Sequence, residues 1–221
     1  TLSCLFIAVR NRDMEQPGRI FMIYNGSKTD GRYQSLLEEH GYEVFATNNA
    51  YQLIRYAEEL HPQLYVVDKN AEDVDAWQVL NYLSSNRYLD EAPAVMLNAE
   101  STQEMVKGAS HYVSAKENGQ MLVDIADAYC RGGRGYKVLL LEDYLPYSAN
   151  EFNAMEEFPI SYLKVYHAHG AKMFLQRNAP QAVIIPGQKE AYNKIRGLLG
   201  FEHTFYVEKR GNMATLVSFL K

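Results

Sequence analysis

The 221 residues are 47% hydrophobic and 22% charged, a globular balance that argues against disorder, collagen and coiled coil. A formal net charge of −5 excludes a wholly basic nucleic-acid coat. Two cysteines, Cys4 and Cys130, make neither a disulfide framework nor a four-thiolate zinc site, and point to a reducing, cytoplasmic setting.

The chain opens on the apolar run 2–9, far short of the about 20 residues that span a bilayer. Arg10 and Arg12 follow this run where a signal peptide wants a small-residue cleavage site. Met14, ahead of the turn-like Glu15-Gln16-Pro17-Gly18, reads as a natural start, which makes 1–18 an N-terminal extension. The alternative is an extra strand over 2–9.

Apolar runs then alternate with amphipathic segments, the pattern of a parallel α/β sheet. Strands are expected at 19–24, 42–47, 64–68, 94–97 and 111–114, and helices at 31–40, 49–60, 75–83, 101–107 and 120–129. Gly41 stops the first helix and Pro62 breaks the second. Arg131-Gly-Gly-Arg-Gly135 reads as a linker, since it lacks the spacing of a phosphate loop and precedes a strand. The pattern restarts with strands at 137–141, 161–166, 182–185 and 204–207, and helices at 148–158, 171–178, 188–199 and 212–220. Two domains are expected, over 19–131 and 132–221, as a divergent internal duplication. The first holds 9 Lys/Arg against 17 Asp/Glu and the second 11 against 8. Opposite balances would favour docking of the halves, or simply give two solvated surfaces.

The most informative stretch is Pro62-Gln-Leu-Tyr-Val-Val-Asp68, where an aspartate ends an apolar strand. Ligand chemistry in an open α/β sheet gathers at the carboxyl ends of its strands. The run resembles the third strand and following loop of bacterial response-regulator receiver domains. Asp68 falls at the phosphoacceptor position, and Asp75-Ala76 replaces an Asp-Gly pair. Ala94-Val-Met-Leu-Asn-Ala99 is similar to the fourth strand, and Gly108-Ala-Ser-His-Tyr-Val-Ser114 to the entry into the fifth. The resemblance covers about residues 19–131. It implies a flavodoxin-like (CheY-like) doubly wound sheet and a signal-transduction role.

The departures from that family are as informative. Its magnesium-binding acidic pair falls on Tyr24-Asn25, its strand-four hydroxyl on Asn98, and its lysine on Ala115, with Lys116 one residue late. A one-residue shift in an extended segment turns a side chain to the other face. Magnesium wants several hard oxygen ligands, and one carboxylate with an amide is a poor set. The expectation is a pseudo-receiver that keeps the fold and has lost phosphorylation.

The second half resembles the same family more weakly, over about 136–221. Glu142-Asp143 sits at the acidic-pair position, Lys209 at the lysine position, and Pro186, with no nucleophile, at the phosphoacceptor position. From Pro186 to Lys209 is 23 residues, against 47 from Asp68 to Ala115, so one β-α unit is missing and four strands are expected. Glu142 and Asp143 leave a weak magnesium site open. No other cofactor is implied.

Tyr112 lies where receivers carry an aromatic switch residue, which by resemblance marks a partner or dimer face. Seventeen tyrosines, among them Tyr51, Tyr56, Tyr82 and Tyr88, fit either interfaces or core edges. His167 and His169 lie near a strand end, with no neighbouring Cys or Asp to complete a ligand set. Lys189, Lys194, Arg196, Lys209 and Arg210 form a modest basic patch without a helix-turn-helix, so nucleic acid is not an expected partner. Nor is a membrane. The function expected is a non-enzymatic regulator that binds other signalling proteins, namely a histidine kinase, a regulator or an output domain, or a second copy of itself. The alternatives are a phosphorylatable response regulator using Asp68 in a two-component phosphorelay, and a small-molecule binder or enzyme of another doubly wound family.

Overall fold

The computed structural model describes residues 17–24, 31–71, 75–86, 89, 92–99, 109–114, 119–131, 138–141, 162–186 and 189–207. Residues 1–16 of the expected extension over 1–18, the helices at 101–107, 148–158 and 212–220, and the glycine run 132–135 lie outside the described residues.

The first unit contains β1 (Arg19–Ile23), α1 (Gly31–Glu39), β2 (Glu43–Thr47), α2 (Ala50–Leu60), β3 (Leu64–Asp68), α3 (Ala76–Ser85), β4 (Ala94–Leu97), β5 (His111–Val113) and α4 (Gln120–Cys130). The second contains β6 (Val138–Leu141), β7 (Tyr162–Val165), α5 (Ala168–Arg177), β8 (Ala182–Pro186), α6 (Lys189–Leu199) and β9 (Thr204–Val207). The five strands of the first unit order as β2-β1-β3-β4-β5, and the four of the second as β7-β6-β8-β9. Every pair within each sheet is parallel. The first order is the doubly wound one, with its crossover reversing between β1 and β3. Among the described residues the second shows a like order with one strand fewer.

Strands read as unbroken apolar runs because helices cover both faces. Successive side chains point to opposite faces, so Ile20, Met22, Leu64, Val66, Val95 and Leu97 join one core, and Phe21, Ile23, Tyr65, Val67, Ala94 and Met96 the other. The first core is closed by Tyr33 and Leu37 of α1 and by Leu122, Ile125 and Tyr129 of α4. The second is closed by Leu53 and Ala57 of α2 and by Val79, Leu80 and Leu83 of α3.

Local chemistry fixes the helix ends. Asn49 caps α2 by accepting from Tyr51 N at 2.9 Å, and Asp75 caps α3 by accepting from Trp77 N at 2.9 Å. Gly41 ends the first helical turn region at φ +80°, a conformation that favours glycine.

The halves are not separate beads. The core under α1 and α4 continues without a break into Leu139, Leu163, Val165, Ala171, Phe174 and Val183. At the sheet edges, Tyr166 N donates to Ser110 O at 3.1 Å. His111 lies against the Lys164 backbone, and His167 against the Ala109 backbone. These contacts bring the edge strand β5 of the first sheet near the edge strand β7 of the second.

His167 and His169 are placed differently from the sequence reading. β7 stops at Val165, and His167 is the N-cap of α5 rather than a strand residue. Helix α5 also begins three residues earlier than expected, at Ala168.

Candidate functional site

The carboxyl edge of the first sheet gathers Tyr24, Asp68 and Asn98 at the ends of β1, β3 and β4. Register places Asp68 beside Leu97, with Asn98 one residue further on. Asp68 is fully buried, because it ends a central strand flanked on both sides. Its Oδ1 accepts from Asn98 Nδ2 at 2.7 Å and from Asn70 N at 2.9 Å. The second contact is an Asx-turn, in which the side chain stands in for a backbone acceptor and turns the chain off the strand.

Asn98 has φ +60°, a left-handed backbone that Asn tolerates better than most residues. Its N–H donates to Val113 O at 2.9 Å, so β5 holds the residue just past the end of β4. The amide is thereby aimed at Asp68. Donation from Asn98 was foreseeable from residue type, whereas its left-handed backbone carries no sequence signal beyond Asn itself.

Tyr24 N donates to Thr47 O at 3.2 Å, and its half-buried ring packs against the core under α1 and α4. It serves as an aromatic plug at the sheet end. Asn25, Ala115, Lys116, Glu142, Asp143 and Lys209 lie outside the described residues. Pro186 ends β8 beside Val207, the same strand-end place that Asp68 holds in β3.

A receiver-type site implies magnesium, and the described residues do not fit it. Among the described residues at the ends of β1, β3 and β4 the carboxylate is Asp68, whose Oδ1 already accepts two N–H groups, one of them from the Asn98 amide. Among the described residues no group of three His, Cys, Asp or Glu could hold a metal ion. His167 and His169 stack with ring centroids 6.4 Å apart, and His167 Nδ1 is taken by Gly170 N at 3.2 Å.

Tyr112 is buried, and its ring packs edge-to-face on Tyr166 at 5.0 Å. The face assigned to a free partner is therefore covered by the chain's own second unit at this position. The sequence could not reveal this, because the two rings lie 54 positions apart, one on β5 and the other just past the end of β7.

Sequence reasoning also missed a cleft of about 610 Å³ between the N-terminal ends of α2 and α3. Tyr51, Ile54, Gln78 and Tyr82 line it, beside the capping residues Asn49 and Asp75. Tyr51 is 85% exposed and Tyr82 40%, which places these two tyrosines at a surface rather than in a core. The paired acceptors Asn49 and Asp75 were the available signal.

No family model matches the chain, and no curated protein matches it. Solved structures do. A CheY-like response-regulator receiver domain from Methanospirillum hungatei JF-1 is 19% identical, with 53% of this chain and 97% of that one covered and a TM-score of 0.47. The receiver domain of a sensor histidine kinase from Pseudomonas aeruginosa PAO1, with magnesium in its active-site cleft, is 16% identical, covering 52% and 99%, with a TM-score of 0.48. A histidine-kinase receiver domain from Syntrophus aciditrophicus is 18% identical, covering 53% and 92%, with a TM-score of 0.47.

Proposed function

We propose that the chain is a signal-transduction regulatory protein of receiver-like type that works by protein–protein contact, with phosphorylation lost. One observation carries this reading. The aspartate at the phosphoacceptor position is fully buried, and its Oδ1 is held under Asn98 Nδ2 and Asn70 N. Phosphoryl transfer needs an accessible nucleophile and a cation that neutralises the developing charge. Here the aspartate acts as a structural acceptor that joins the ends of β3 and β4 to the loop after β3.

The first unit then contributes a doubly wound scaffold rather than a catalyst. Its partners are other signalling proteins, in a cytoplasmic setting where the thiol of Cys130 stays reduced. No helix among the described residues is long and apolar enough to cross a membrane.

The test is incubation of the full chain with Mg²⁺ and acetyl phosphate or beryllofluoride, beside Asp68→Asn. Intact mass and thermal stability are followed. The expected result is no mass gain of a phosphoryl group and no stabilisation dependent on Asp68. A phosphoryl adduct absent from Asp68→Asn would establish the phosphorylatable reading instead.

A further inference from the structure

The junction of the two units holds a cluster of buried polar groups that the Asp68 edge does not use. His111 of β5 is fully buried, and its Nε2 lies 2.8 Å from Tyr129 Oη of α4. The Tyr129 hydroxyl also reaches Gly170 O of α5 at 3.4 Å. Gly170 N in turn donates to Nδ1 of His167, the cap of α5, at 3.2 Å. Gly170 has no side chain for a plain reason: an added Cβ would stand 2.7 Å from Ser110 Oγ and 2.9 Å from Val165 Cγ1. One chain of contacts thus runs from β5 through α4 to the first turn of α5, across both units.

This geometry dictates the protonation state. Because His167 Nδ1 accepts from a backbone N–H, that nitrogen has no proton, and the ring is the neutral Nε2–H tautomer. A second proton would set N–H against N–H and remove the cap. It would also place positive charge at a helix N-terminus, where the backbone dipole opposes it.

Among the described residues no carboxylate acts on the His167 ring, and the Ala109 backbone is the group that favours its charging. From α5 the ring meets His169, which disfavours its charging, and Arg177, whose Nη1 donates to Tyr129 O at 2.6 Å, lies on the same helix. The Lys164 backbone lies against His111, and Tyr166 bonds Ser110 and packs on Tyr112 beside it. The carboxylates of α4 are engaged elsewhere, Asp124 with Gln120 and Asp127 with Tyr42 and Arg131.

We propose that His111, Tyr129, Gly170 and His167 form a proton-sensitive latch that holds the two units together with both imidazoles neutral and releases them when His167 gains a second proton. The inference stands apart from the reading of Asp68. Burial supports it, pushing His167 down to about 4 and His111 down to about 3, against 6.5 for a free imidazole. Release would free the β5 edge and Tyr112 while each parallel sheet persists.

The experiment is hydrogen exchange on the full chain from pH 7 to pH 4.5, corrected for the intrinsic pH dependence, with far-UV circular dichroism alongside. Amides of β5, β7 and the first turn of α5 are expected to lose protection up to about tenfold per pH unit below pH 6, with helix content retained. His167→Asn keeps a capping acceptor that does not titrate. It should remain closed at pH 7 and lose about half of the acid response, the rest belonging to His111. An unchanged acid response in His167→Asn overturns the proposal, as does loss of the junction only together with global unfolding.

Should His167→Asn not fold, nitrogen shifts of labelled histidine in the unmodified chain decide the matter. The proposal expects the Nε2–H tautomer at pH 7 and protonation of His167 coincident with loss of β5 protection. A ring that titrates near 6.5 while β5 stays protected would refute it.

Discussion

Replacing Asn98 tests the account of the Asp68 edge most directly, because two separable effects meet in one residue. Asn98→Ala deletes the 2.7 Å bond to the Asp68 carboxylate and leaves a buried acceptor with less compensation. A hydrogen bond to such a group contributes about 1.5–3 kcal/mol. Alanine must also adopt φ +60°, which adds about 1–2 kcal/mol for a residue with a Cβ. The expected loss is about 3–4 kcal/mol, a fall in Tm of about 10 °C for a chain this long. Asn98→Gly loses the same bond but accepts the backbone, so it should cost only about 2 kcal/mol. Urea unfolding of both variants, read by circular dichroism, supplies the comparison. In the double variant with Asp68→Asn, the two substitutions should couple by at least about 1 kcal/mol. Equal losses in the Ala and Gly variants would remove the backbone argument. A loss below about 1 kcal/mol in both would show that the Asp68–Asn98 contact does not hold the edge.

Acid should weaken the chain as a whole. Both buried imidazoles have folded values below 6.5, so the unfolded chain binds more protons under that pH, and stability falls as pH drops from 6.5 toward about 3 to 4. Each contributes a loss of about 2 kcal/mol by pH 5, to be measured as a shift in urea midpoint that His111→Phe reduces. Burial pushes the Cys130 thiol up to about 12, so iodoacetamide at pH 8 should label it at a small fraction of the rate seen in urea, by peptide mass. Rapid native labelling would contradict its packing. Gly170→Ala should cost about 1–3 kcal/mol and raise exchange at β5 and α5, since its Cβ has no room against Ser110. Gly197→Ala, where nothing lies within 4 Å of the added carbon, is the control and should be neutral or stabilising.

Much of this architecture was legible because parallel strands buried on both faces leave unbroken apolar runs. Leu64-Tyr-Val-Val-Asp68 and Val138-Leu-Leu-Leu141 show this plainly. The spacing from Pro186 to Lys209 also announced a sheet of four strands, and among the described residues four are present. Asp68 was placed at the right edge for the same reason, since the last residue of a central strand must lie there. What the sequence hid is longer in range. Nothing local says that Asn98 turns left-handed, that Tyr112 meets Tyr166, or that His167 caps a helix instead of continuing a strand. The His-Ala-His run carries no periodicity to separate those two outcomes, and its role is set by Gly170 N and the Ala109 backbone. In α2, Leu53 and Ala57 are buried whereas Tyr56 is 46% exposed, which sets that tyrosine at the surface.

The closeness of β5 and β7 also bears on stray pairing between molecules. An open sheet has two rims of unpaired backbone groups, and each rim is a template for stray pairing between molecules. Two such sheets standing apart would present four rims. Here β5 and β7 lie beside the Tyr166–Ser110 bond, and among the described residues β2 and β9 are the other two rims. Severing the chain between the units would therefore leave each sheet with a fresh rim, and β5, only three residues long and carrying His111 inward, has neither the length nor the surface charge to guard its own.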